Sequence, residues 1–194
     1  MWHSGSPTSS DAALRAHLHR WWSRCELASL ETTLDLETGR HCPTCGSDAH
    51  GRPWVRLPDG TTPHVSLSRC GDHLVTVVAD HPVGVDVESI AAVSARWDPT
   101  LVLHPSEAAH DLKEMRPRAH DLKEMRTPGT QAQERAATWC HKEAILKALG
   151  TGLTTPMSEI RVADWEVADI PAPQGCWAST AIIRQTGSGG SSTA

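Results

Sequence analysis

Four residues in two short segments have types and spacings suited to one kind of chemistry: Asp86 and Glu88 in GVDVE, and Glu143 and Lys147 in HKEAILK. On a strand, residues i and i+2 share a face, so the carboxylates at 86 and 88 point together while Val85 and Val87 point to the core. On a helix, residues i and i+4 share a face, which puts Glu143 above Lys147. If those two faces meet, three carboxylates and an ammonium converge. Three oxygen donors suit Mg²⁺, which usually keeps waters and substrate phosphates in its shell. By spacing alone the same residues also describe a solvated strand end and an ordinary helical pair, and both readings stand at this point.

To bring these side chains together the chain must supply a strand at 83–88 and a helix through 143–147. Periodicity predicts both. HVSLSR (64–69), LVTVVAD (74–80) and VGVDVE (83–88) alternate or run apolar at strand length, and the turns at Cys70–His73 and Asp80–Pro82 suggest an antiparallel meander. A long helix is expected from about Ala132 to Leu149, stopped by Gly150 at C′. IRVADWEVA and CWASTAII read as two further strands. Upstream, Leu14, Leu18, Trp21 or Trp22 and Cys25 recur at helical spacing behind a Ser10/Asp11 cap. A loop rich in Gly, Pro and Asp is expected from Gly39 to Pro63. Residues 1–10 and the Gly/Ser tail 187–194 are expected to be disordered.

Composition narrows the function classes. The chain of 194 residues carries 18 Lys and Arg against 23 Asp and Glu, long enough for one ordinary core and without a basic footprint for nucleic acid. It has eight Trp but no Tyr and no Phe, which excludes any mechanism that needs a phenol. No run approaches the roughly 20 apolar residues of a membrane span, and the N-terminus lacks signal-peptide blocks, so a cytoplasmic address is expected, with no membrane partner. Six scattered cysteines read as reduced thiols.

Four ordered motifs, HGRP (50–53), VSLSR (65–69), GVDVE (84–88) and WCHKEAILKALGTGL (139–153), give the stretch His41–Leu153 a further meaning: it resembles the 4′-phosphopantetheinyl transferases of the Sfp type. The resemblance implies an α+β fold of two similar lobes related by a pseudo-twofold, with lobes at 11–82 and 83–186 and the active site in the cleft between them. It implies transfer of the phosphopantetheine arm of coenzyme A to a serine of an acyl or peptidyl carrier protein, with Mg²⁺ on the coenzyme's pyrophosphate and 3′,5′-ADP as the leaving group. A role in polyketide or nonribosomal peptide synthesis follows, as does a monomer. Carried over by position, Asp86, Glu88 and Glu143 would hold the metal. Glu143 would also deprotonate the serine, and Lys147 would stabilise the phosphate charge. Arg52, Ser66, Ser68 and Arg69 fall where the family grips the nucleotide and its phosphates.

The chain departs from the family pattern at Arg69, where His is usual, and at Cys70, where Ser or Thr normally follows. Arginine holds a phosphate but cannot titrate as an imidazole does. The cluster His41, Cys42, Cys45 and His50 offers zinc-type donors. His50 lies only five residues beyond Cys45, however, and some bacterial relatives resemble this stretch, so a metal-free loop is expected. An octamer, AHDLKEMR, occurs at 109–116 and again at 119–126 around Pro117. It reads either as a carrier contact through Lys113, Arg116, Arg118, Lys123 and Arg126 or as a solvated insertion. Two other readings of the whole chain stay open: a coenzyme A or carrier-binding protein with weak or no transferase activity, and a zinc-ordered interaction module on Cys42 and Cys45.

Overall fold

A computed structural model describes residues 1–3, 9–25, 36–108 and 128–184. The duplicated octamers and the Gly/Ser tail lie outside the described residues. Helix α1 (Ser10–Cys25) follows the spacing of its leucines. Its cap is Ser9, one residue before the expected Ser10/Asp11 cap: the Ser9 hydroxyl accepts the Ala12 N–H at 3.1 Å. Leu14 and Leu18 pack on Leu36, Val55, Leu57 and Val65.

The stretch expected to be a loop from Gly39 holds a hairpin, β2 (Glu37–His41) paired with β3 (Arg52–Arg56) from Glu37↔Arg56 to His41↔Arg52. Pro53 is tolerated because this two-stranded sheet consists only of edges. β4 (His64–Cys70) and β5 (His73–Ala79) pair antiparallel across a turn at Gly71, whose φ is +55°. The expected meander ends there. The other edge of β5 is taken by β1 (Trp2–His3), with Trp2 opposite Val75, so part of the segment expected to be disordered is a strand.

β6 (Val83–Ser89) joins a second sheet in the order β6-β8-β7, with β7 at Glu166–Asp169 and β8 at Cys176–Ile182. The first half of IRVADWEVA turns in 3₁₀ geometry at Val162–Asp164. After β6 come α2 (Ile90–Ala95), capped by Ser89, α3 (Pro99–Val102), capped by Asp98, and helical residues at 105–108.

The long helix α4 runs Pro128–Leu149, starting four residues before the expected Ala132 because proline is accepted in a first turn. It stops at Gly150, with φ +77° and its N–H donating to the Leu146 and Lys147 carbonyls. Ile145, Leu146 and Ala148 pack on Val102, Met157, Ile160 and Ala181, with Trp139 against the same cluster. The opposite face of the second sheet closes a third cluster, Val75, Val85, Val87 and Ala178. The result is a mixed α+β architecture in which α4 and β6 lie in close contact.

Candidate active site

α4 approaches β6 closely because Gly84 has no side chain. A Cβ there would overlap the Ala144 carbonyl and lie 2.7 Å from the Ala148 nitrogen. Alternation puts Asp86 on the same face as Gly84, where it meets Lys147 from the helix. Lys147 Nζ donates to Asp86 Oδ1 at 2.6 Å, to Ser68 Oγ at 3.0 Å and to the Val85 carbonyl at 3.1 Å. The Ser68 hydroxyl donates to the same Asp86 oxygen at 2.8 Å. The other oxygen, Oδ2, is buried without a partner.

That orphaned oxygen has two acidic neighbours. Burial raises the Glu143 carboxyl above the usual range and the Asp86 charge raises it further, Lys147 offsetting part of the effect and Glu88 adding to it. Glu88 is raised by burial and then by Asp86, against Lys147 and Arg96. One ammonium cannot neutralise three carboxylates in such a place. The donor types and the unpartnered Oδ2 suit a hard divalent cation, which prefers oxygen ligands, but the three carboxylates do not all stand within 4.8 Å of one another and would have to draw closer to share one ion. Cys140 closes the back: its buried thiol donates to the Trp177 carbonyl at 3.4 Å, and burial and the Asp86 charge push it up, so it is no nucleophile.

Beside this cluster a groove of about 520 Å³ opens at the C-terminal end of α4, where Leu149 and Gly150 line it. Arg52 and Arg56 of β3 line it as well, together with His41 and His64. A Cβ on Gly150 would come within 2.6 Å of Arg52 Nη1, so the guanidinium lies directly over the helix end. Burial lowers the His64 imidazole, and the charges of Arg52 and His81 lower it further.

The structure thus brings Asp86, Glu88, Glu143 and Lys147 together and puts Arg52 in the adjoining groove. The serines of VSLSR bond within the protein: Ser66 Oγ accepts the Val85 N–H at 3.2 Å, and Ser68 is held by Asp86 and Lys147. Arg69 is exposed on the other face of β4, away from both serines. The expectations missed Arg56 and His64. The alternation of Arg52, Trp54 and Arg56 was the available signal, masked by the neighbouring Gly51 and Pro53. Also missed was a second buried ion pair, Lys142 to Glu107 at 2.6 Å.

Residues 82–182, over half of the chain, match the family model described as ACPS, 4′-phosphopantetheinyl transferase superfamily. The matched region contains Asp86, Glu88, Glu143 and Lys147 and begins only after the groove's arginines, Arg52 and Arg56. Comparison with curated proteins gave no match.

Proposed function

The chain belongs to the 4′-phosphopantetheinyl transferase superfamily, and on that premise we propose that it moves the phosphopantetheine arm of coenzyme A onto a serine of an acyl or peptidyl carrier protein, as Sfp-type members do, in secondary-metabolite synthesis. The observation that carries this reading is the charge coupling of Glu88 and Glu143 to Asp86 beside Lys147, with Asp86 Oδ2 left without a partner. Asp86, Glu88 and Glu143 are the residues that would hold Mg²⁺, which when bound supplies charge neutralisation at the pyrophosphate.

The rest is the work of the chain itself. The groove lined by Arg52 and Arg56 takes the nucleotide end of the coenzyme, its phosphates running toward Lys147 less than one turn inside the helix end. Glu143, its carboxyl raised above the ordinary range by burial and by Asp86, accepts the proton of the carrier serine as its Oγ attacks the phosphorus that bears the pantetheine arm. The bond from that phosphorus to the bridging oxygen breaks, and 3′,5′-ADP leaves with the electron pair. All three Lys147 donors are in use, so contact with a phosphate exchanges one bond, the longest being that to the Val85 carbonyl. Ser66 and Ser68 act as positioning residues, and Arg69, on the other face of β4, stands outside the groove. The lobes divide near residue 82, related by a pseudo-twofold, in a monomer that works in the cytoplasm.

Mass spectrometry of an apo carrier incubated with coenzyme A and Mg²⁺ tests this. The expected result is gain of the arm with release of 3′,5′-ADP, abolished by Glu143→Ala. Coenzyme binding by calorimetry without any transfer would replace the transferase with a binding protein.

A further inference from the structure

The connection between β2 and β3 begins Cys42-Pro43-Thr44-Cys45-Gly46 and folds back on itself. The Gly46 N–H donates to the Cys42 carbonyl at 2.8 Å, and the Cys42 N–H donates to the Ser47 carbonyl at 3.0 Å. Gly46 sits at φ +72°, which favours glycine. The backbone N–H groups of Thr44 and Cys45 both point at the Cys42 sulfur. Gly51, at φ +100°, then lets the chain return against the His41 carbonyl, where any Cβ would overlap it.

This backbone carries His50 to Cys45, with Nε2 and Sγ 3.3 Å apart. The Cys42 sulfur joins them: one ligand atom from each of the three residues lies within 4.8 Å of the other two. Tetrahedral zinc, with its bonds to sulfur and imidazole nitrogen, holds such atoms about 3.5–3.8 Å apart, so a small adjustment of the loop, with Cys45 and His50 parting by a few tenths of an ångström, completes the arrangement. The short interval between Cys45 and His50, which argued against a site when read as finger spacing, is what a single tight loop requires.

We propose that Cys42, Cys45 and His50 bind one Zn²⁺, with the fourth position open to water or an external donor. Two sulfurs and an imidazole select zinc over the hard cation suited to the carboxylate cluster. Binding displaces the thiol protons to solvent. His41 is not the fourth ligand, because it lines the groove. The metal would have structural work to do: residues 42–51 contribute to none of the three core clusters, yet this loop joins His41 to Arg52, both on the groove wall.

Metal analysis of the full chain purified in the presence of zinc gives stoichiometric zinc. After exchange to Co²⁺ the protein shows the intense visible bands of a tetrahedral site and thiolate-to-cobalt absorption. Cys42→Ser, Cys45→Ser and His50→Ala each lower zinc occupancy at least tenfold, while Cys176→Ser leaves it unchanged. The cobalt spectrum of the unaltered chain needs no variant to fold. Substoichiometric zinc, or a cobalt spectrum without thiolate bands, overturns the proposal, as does full occupancy in the Cys42→Ser/Cys45→Ser double variant. None of these readouts depends on phosphopantetheine transfer.

Discussion

Two lysines five residues apart on α4 leave the helix toward different neighbours, and their surroundings differ in one respect. Lys142 is fully buried, and its three donors meet Glu107 at 2.6 Å and the carbonyls of Met157 at 3.2 Å and Ile160 at 2.7 Å. Glu107 is satisfied in turn. Burial would raise its carboxyl, but hydrogen bonds from Lys142 and from the Val162 and His104 N–H groups outweigh that and hold it below the ordinary range. Lys147 is equally well bonded, but it faces Asp86, Glu88 and Glu143, two of them with raised carboxyls and the third with an oxygen left over. A buried charge matched one for one builds the fold. A buried charge set with an unmatched remainder is poised for something not yet bound.

The contrast is broken most directly by exchanging the two glutamates. Glu143→Gln is expected to lower Mg²⁺-dependent transfer by about 10²–10³-fold, the usual effect of losing a charged group aimed at the reacting atoms, whereas Glu107→Gln leaves kcat within a few-fold while the protein stays folded. Similar losses in steady-state assays would erase the distinction. Next in size, Lys142→Met strands the Glu107 carboxylate and is expected to cost about 3 kcal/mol in urea unfolding. A loss no larger than a surface substitution would show that the pair is not structural.

The same chemical change should then have opposite signs at the two sites in chelated buffer. Glu107→Gln loses charge-assisted bonds worth about 1–2 kcal/mol and melts earlier, while Glu143→Gln relieves repulsion from Asp86 and Glu88 and melts slightly later. Calorimetric scans decide it, and Mg²⁺ should reverse the order for Glu143 alone. The smallest effect is in pH. Glu107 is depressed in the folded state, so its contribution is complete above the ordinary carboxylate pKa of about 4.3 and disappears as pH falls through the depressed value. Glu143 is raised, so the folded state binds its proton more readily than the unfolded one, and its contribution declines as pH rises through the raised value. The advantage of Glu143→Gln should therefore be absent in acid and grow toward neutrality, and a constant offset across melts would contradict the raised carboxyl.

How far this was readable in the sequence depends on the range of each signal. The acidic cluster was legible because period-two and period-four spacings place Asp86 with Glu88 and Glu143 with Lys147 before any tertiary contact is known. Gly150 marked the end of α4 for a similarly local reason. The hairpin β2–β3 was hidden because Gly39, Gly51 and Pro53 read as breakers, although glycine and proline are acceptable in a strand pair made only of edges. The departure of β6 from the meander was not visible at all: it depends on Trp2, over seventy residues upstream, taking the edge of β5. Lys142 looked like any helical lysine, since its acceptors are supplied by turns after the helix has ended.

The serine at position 66 has a consequence for how the molecule breathes. No backbone ladder joins β4 to β6 among the described residues, and the Val85 amide is held across that seam by a hydroxyl. The two sheets can therefore part there while every ladder on either side stays closed. Deuterium uptake at the Val85 amide would record that parting as a sub-global opening, faster than exchange from the paired strands.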